Sequence, residues 1–247
     1  MNTNRLRVMQ IAAAAGLMSA VVPALAGLIS LGEQINNGNF QAALSPAWTV
    51  TGSAEIRPGG STINTSTGNA GFDSFFDSAF AVLGDDGLAI GGIPTAGTSS
   101  ISQTFILPST VGGETVLSYD LTISFETAFD GIDSASVTGD IFSASFGTTT
   151  LFSQNSNAFP PQAVNDPFNA TITGLAPGTY TLTFTLDESG IIIDPTNTNF
   201  TNTAAGIDNV SVIAVARVPE PSTLALLGVA LAGAGLTRLR RRERRLC

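Results

Sequence analysis

Two stretches of strict alternation limit what this chain folds into. Leu117, Tyr119, Leu121, Ile123 and Phe125 are separated by Ser118, Asp120, Thr122 and Ser124, and Tyr180, Leu182, Phe184 and Leu186 by Thr181, Thr183 and Thr185. Successive side chains of a strand point to opposite faces, so a period of two leaves one face apolar and the other wet. Each run is read as a half-buried strand of an antiparallel sheet. Further strands are expected over residues 48–57, 80–90, 100–107, 134–146, 168–173 and 207–216. Turn chemistry separates them at Gly112-Gly113, Asp130-Gly131, Ala176-Pro177-Gly178 and Ser189-Gly190. About eight strands with Ser/Thr-rich outer faces and no long helical pattern predict an all-β fold, an antiparallel two-sheet sandwich of the jelly-roll kind. Two long loops are expected at 62–78, with Phe72, Phe75 and Phe76, and at 153–167, with Pro160-Pro161. Their phenylalanines either pack on the core or form a sugar-stacking surface.

The two ends read differently from this middle. Arg5 and Arg7 precede an Ala-rich apolar run that closes on Ala24-Leu25-Ala26. A charged start, an apolar run and small residues at the cut describe a secretory signal peptide over residues 1–26, so the mature chain is expected to begin at Gly27. At the other end, Pro219-Glu220-Pro221 is followed by an apolar stretch over 222–237 and by Arg238, Arg240, Arg241, Arg242, Arg244 and Arg245 in a tail over 238–247. The 16 residues 222–237 make a helix about 24 Å long at about 1.5 Å per residue, against about 30 Å of hydrocarbon core. That is short for a permanent anchor. Arginines stay on the cytoplasmic side, which places everything before the helix outside, in agreement with the signal peptide.

This three-part ending, over about 217–247, resembles the PEP-CTERM sorting signal. The resemblance implies export across a Gram-negative envelope by a bacterium that makes extracellular polysaccharide. It also implies recognition by exosortase, a membrane enzyme that cuts near the motif, with Pro219, Glu220 and Pro221 serving as substrate. The expected processing partners are the Sec translocon and exosortase, with the membrane engaged through the C-terminal helix. The expected route runs through an inner-membrane intermediate to the cell surface or the medium.

Between the addresses lie residues 27–216, with one arginine, Arg57, against 17 Asp and Glu, which leaves a charge of −16 where the whole chain carries −9. Such a surface stays soluble and repels nucleic acid. The chain has no histidine and no lysine, and its one cysteine is Cys247. This excludes Ser-His-Asp and Cys-His triads, Schiff-base lysines, disulfides and Cys/His zinc sites. Two carboxylates suffice for glycoside hydrolysis. The pairs at hand, Asp85-Asp86, Asp130 with Asp133, and Asp187-Glu188, stand beside glycines where Asp favours turns.

Asn37-Gly38-Asn39-Phe40, Trp48, Ser102-Gln103-Thr104-Phe105 and the closing run Ala205-Gly206-Ile207-Asp208-Asn209-Val210-Ser211-Val212 resemble the galactose-binding-like jelly roll of carbohydrate-binding modules. The resemblance implies that the first and last strands pair, and that Asp208, with Asn37 and Asn39 beside it, holds a structural calcium. Oxygen ligands of these types suit that ion. Gln41 stands where related modules tend to have Glu. Trp48 is then either a stacking platform for a polysaccharide or a core anchor. The first expectation for function is an exported, non-enzymatic surface or matrix protein with no certain cofactor. A calcium-stabilised carbohydrate-binding module is the alternative, and a small glycosidase stands third.

Overall fold

The structure is a computed structural model that describes residues 27–61, 63–65, 68–70, 75–76, 78–84, 97–130, 139–156, 164–188, 203–220, 228 and 230–231. The expected signal peptide with Ala24 and Ala26, Pro221 and the basic tail lie outside the described residues. One compact unit spans Gly27–Pro219. Of the expected terminal helix, Gly228, Ala230 and Leu231 are described and helical. Among the described residues no helix is long and apolar enough to cross a membrane.

The compact unit is all β. In chain order its strands are β1 (Gly27–Glu33), β2 (Thr49–Thr51), β3 (Ala54–Arg57), β4 (Ile63–Thr65), β5 (Gly68–Ala70), β6 (Phe80–Leu83), β7 (Thr98–Leu107), β8 (Thr110–Val111), β9 (Glu114–Thr115), β10 (Ser118–Asp130), β11 (Ile141–Phe146), β12 (Thr149–Asn155), β13 (Val164–Leu175), β14 (Gly178–Asp187) and β15 (Ala204–Val218). One sheet runs β13-β10-β15-β6-β3, with β1 also paired to β15; the other runs β12-β11-β14-β7-β2. β4-β5 and β8-β9 form separate two-stranded hairpins. The pairing of β1 with β15 is antiparallel and sets Gly27 opposite Val218, as the jelly-roll resemblance implies.

The alternating runs fold as expected except at Leu117, which precedes β10 and is exposed. Tyr119, Leu121, Ile123 and Phe125 of β10 and Leu182, Phe184 and Leu186 of β14 are buried. Phe125 stacks on Phe168 at 4.5 Å and meets Phe184 edge-on at 5.0 Å. The first contact is a cross-strand pair within one sheet, and the second ties the two sheets across the core, where aromatic pairs contribute beyond their buried area.

Several boundaries move. The strand expected over 48–57 is broken in two at Gly52, whose φ is +70° and whose added Cβ would meet the Thr98 carbonyl at 2.6 Å. The loop expected at 62–78 contains the β4-β5 hairpin, and Phe76 is buried, stacked on Phe80 at 4.5 Å. Core packing is therefore the role of Phe76, while Phe72 lies outside the described residues. The loop expected at 153–167 shrinks because β12 and β13 claim its two ends. The final strand runs to Val218, past the boundary expected at 216. Arg217 therefore belongs to the sandwich, with its guanidinium on Asp120 at 2.5 Å. That contact holds the Asp120 carboxyl below its ordinary range, with a bond from the Gly174 amide in support.

β15 is the strand on which the first sheet is registered. β10 pairs along nearly its whole length, while its other edge is shared: β6 takes Ala205 to Ile207 and β1 takes Ile213 to Val218. The gap between them is closed by the segment after β1. Gln34 donates to the Val212 carbonyl at 2.9 Å, and Val210 donates to the Gly38 carbonyl at 2.9 Å. The Glu33 carboxylate accepts from the amides of Gln34, Ile35 and Val212 at 3.0, 2.9 and 2.8 Å and from the Ser211 hydroxyl. One carboxylate thus stands in for a stretch of strand. Charge-assisted bonds of this kind contribute about 1.5–3 kcal/mol. Glu33→Ala is expected to lower the unfolding free energy by about 2 kcal/mol in urea titrations; an unchanged midpoint would show that water satisfies these amides equally well.

Candidate functional site

The residues singled out for calcium and sugar converge on one corner, where the loop after β1 meets the middle of β15. Two residues there adopt positive φ, Asn37 at 54° and Phe40 at 49°, and Asn209 facing them sits at 52°. Asn and Gly tolerate this region; an aromatic does so only when its surroundings hold it. The holding contacts are visible. The Asn37 side chain donates to the carbonyls of Ala42 and Ala43 at 2.7 and 3.2 Å and accepts from the Ala42 amide at 2.9 Å. Its backbone carbonyl takes the Trp48 indole N–H at 3.2 Å. Phe40 is fully buried against Trp48, ring centres 5.5 Å apart. Gly38 lies so close to β15 that an added Cβ would stand 1.9 Å from the Val210 carbonyl oxygen. The Asn-Gly-Asn-Phe sequence is thus the knot that ties the first loop to the last strand.

Trp48 settles between its two readings as the core anchor. It is 2% exposed, sandwiched between Phe40 and Phe184, and its polar end is taken. No ring face is left for a sugar. Tyr119 is buried, with its hydroxyl on the Pro108 carbonyl at 2.6 Å, and Tyr180 stacks on Phe146.

Asp208 is 1% exposed. A bulge puts it there: Ser124 pairs with Ser211 and Glu126 with Asp208, so Asn209 and Val210 share one place opposite Phe125. Its Oδ1 accepts from the Asn209 amide at 2.7 Å and its Oδ2 from the Ser78 hydroxyl at 2.8 Å. Asn209 in turn donates from its side chain to Glu126 at 3.0 Å. The three residues expected as calcium ligands therefore lie on adjoining segments but serve different partners. Asp208 holds Ser78 and Asn209, Asn37 holds the loop at 42–43, and the Asn39 Oδ1 faces the Gln41 amide at 3.5 Å. Among the described residues no group of three or more His, Cys, Asp or Glu side chains gathers.

Of the carboxylate pairs, Asp85, Asp86 and Asp133 lie outside the described residues. Glu188 is buried, and the Thr203 hydroxyl bridges it to Asp140 at 3.2 and 2.8 Å, at the end of the sandwich where β14 finishes and β11 and β15 begin. Sequence reading missed the structural role of Glu33 and that of Gln103. The Gln103 carboxamide is buried and exchanges two bonds with the Asn36 backbone, at 2.7 and 2.9 Å, imitating a strand partner. The signal for Glu33 was present, since it is the only carboxylate between Gly27 and Ala54.

The fold and the terminal sequence define this chain as a two-sheet β-sandwich followed by a sorting signal. Residues 217–242 match the PEP-CTERM protein-sorting motif. No curated protein sequence matches the chain. Among solved structures, the chain is similar to a cyclase from Fischerella sp. TAU in complex with an indolyl butanone, at 13% identity and a TM-score of 0.38, covering 78% of this chain and 100% of that one. It is also similar to a family 4 carbohydrate-binding module, at 16% identity and TM-score 0.33, over 75% of this chain and 99% of the other. A family 16 module follows at 11% identity and TM-score 0.34, over 72% and 98%.

Burial raises the Asp208 carboxyl above its ordinary 3.8, Glu126 adds to the rise, and the bonds from Asn209 and Ser78 oppose it. A carboxyl that holds its proton more tightly when folded contributes most stability below 3.8 and loses that contribution as pH rises through the folded value. Asp208→Asn is therefore expected to gain on the parent in melting temperature as pH is raised from below 3.8 to neutrality. A difference independent of pH would mean that Asp208 titrates alike folded and unfolded.

Proposed function

We propose that this chain is an exported, non-enzymatic cell-surface or extracellular-matrix protein, delivered by the Sec route and processed by exosortase. The observation that carries the reading is the match to the PEP-CTERM sorting motif at 217–242, which starts as the sandwich ends: β15 closes at Val218 and the compact unit at Pro219. A passenger fold followed directly by a sorting signal suits a substrate of the export machinery. On this reading Gly27 begins the mature chain, residues 222–237 hold an inner-membrane intermediate, and the arginine tail stays cytoplasmic until the cut.

The non-enzymatic half of the reading rests on chemistry. The chain has no histidine or lysine and only a terminal cysteine. Its polar groups at the conspicuous corner are engaged with neighbouring groups of the chain: Glu33 with three amides, Asn37 with the 42–43 loop, Asp208 with the Ser78 hydroxyl and the Asn209 amide. The working product is then a strongly acidic domain that persists in the matrix by folding stably, without catalysing a reaction there.

Removing Pro219, Glu220 and Pro221 from the encoded chain tests the sorting role. Cells are fractionated and the protein's intact mass is measured. The parent is expected outside the inner membrane without the arginine tail, and the deleted form in the membrane fraction with that tail still attached. Unchanged mass and location for the deleted form would overturn the reading.

A further inference from the structure

The sandwich sets a limit on where its own sorting signal is cut. β15 does not fray as it approaches the motif. Arg217 and Val218 are flanked on one edge by Leu28 and Gly27 of β1, and on the other Ser118 pairs with Arg217 while the Leu117 amide donates to the Arg217 carbonyl at 2.8 Å. Ala216 and Val218 are buried, and the Arg217 side chain is pinned to Asp120 through Nε at 2.9 Å. A protease takes its substrate as an extended segment whose backbone groups are free to pair with the enzyme. A strand already bonded on both edges offers none, and proteolysis concentrates where backbone is exposed and unbonded. Freeing residues 213–218 would mean stripping β1 from β15 and opening the apolar core beneath Val212, Ala214 and Ala216.

The bond between Val218 and Pro219 is disfavoured for a second reason. Proline has no N–H to donate to an enzyme's backbone, and the residue before it is restricted as well. From Pro219 onward the described chain leaves the sheet: Pro219 and Glu220 belong to no strand, and both are half-exposed.

We infer that the processing bond lies C-terminal to Pro219, so that the whole of β15, Arg217 and Val218 included, remains with the processed sandwich. This deepens the proposed function and rests on it. In the hydrolytic form of the step, one C–N bond breaks and water divides across it. The sandwich keeps a new carboxylate, and the departing helix and arginine tail carry the new amine. The cut piece then includes at most Glu220 and Pro221 from the motif, and the β1–β15 pair is complete before and after processing.

The test is the C-terminal residue of the processed protein, recovered from cells that export the full chain and read by tandem mass spectrometry of its terminal peptide. A last residue at Pro219 or further on, short of the arginine tail, is the expected result. A last residue at Val218 or earlier would overturn the inference while leaving processing itself intact. A chain that still ends at Cys247 would instead overturn the exosortase reading. A parallel measurement needs no sorting enzyme: proteinase K added to the full chain in detergent is expected to trim the C-terminus no further than Pro219. Rapid trimming into residues 213–218 would show that the end of β15 opens freely, and would count against the inference on its own.

Discussion

Asn209 turns the chain into the left-handed region at φ 52° within β15, the longest strand among the described residues, and that single extra residue decides which way each half of β15 faces. A slip of one residue sends every following side chain to the opposite side of a sheet. Beyond the bulge, Val210, Val212, Ala214, Ala216 and Val218 join the main core. Before it, Ala205 and Ile207 join the same core, while Ala204 packs in a second cluster with Phe76, Phe80, Val82 and Ala128. β15 is thus apolar on both sides at its start and on one side at its finish. The bulge also frees the Val210 amide to meet the Gly38 carbonyl. The knot around Asn37, the burial of Asp208 and the continuity of the strand toward the motif all follow from this bend.

The fold was legible where one face was wet and the other dry. β10 and β14 stand out because Thr and Ser alternate with large apolar residues, and the structure buries the apolar set from Tyr119 to Phe125 and from Leu182 to Leu186. β12 escaped because its register shifts beside Ala144 and Ser145 and its exposure follows no period. β1 escaped for another reason: it covers only a portion of one edge of β15, so Leu28 stays 64% exposed and the strand lacks a strongly apolar face. The broken strand at Gly52 shows a glycine required by close approach of backbone, which residue type alone does not reveal.

At the corner of interest, residue types were read correctly as oxygen-rich, and their use was not legible. Asn and Asp side chains serve nearby backbone groups as readily as they serve an ion. Which of these prevails depends on strain: a loop that places Asn37 and Phe40 at positive φ needs local bonds to hold it, and the carboxamide of Asn37 supplies them. Trp48 illustrates the same competition between function and packing. Its buried place follows from Phe40 and Phe184 on either side and from a carbonyl positioned to take its N–H.

The facing of Gly27 and Val218 has a mechanical consequence. A sandwich held by its C-terminal end alone, and tugged at loops on its far side, carries the load along β15, where many hydrogen bonds resist sliding together. If both ends were tethered and drawn apart, the force would fall on the last rung of the β1–β15 ladder, and the rungs would open in succession like a zipper. The same domain is therefore stiff when fixed at one end and readily peeled when pulled between its two ends.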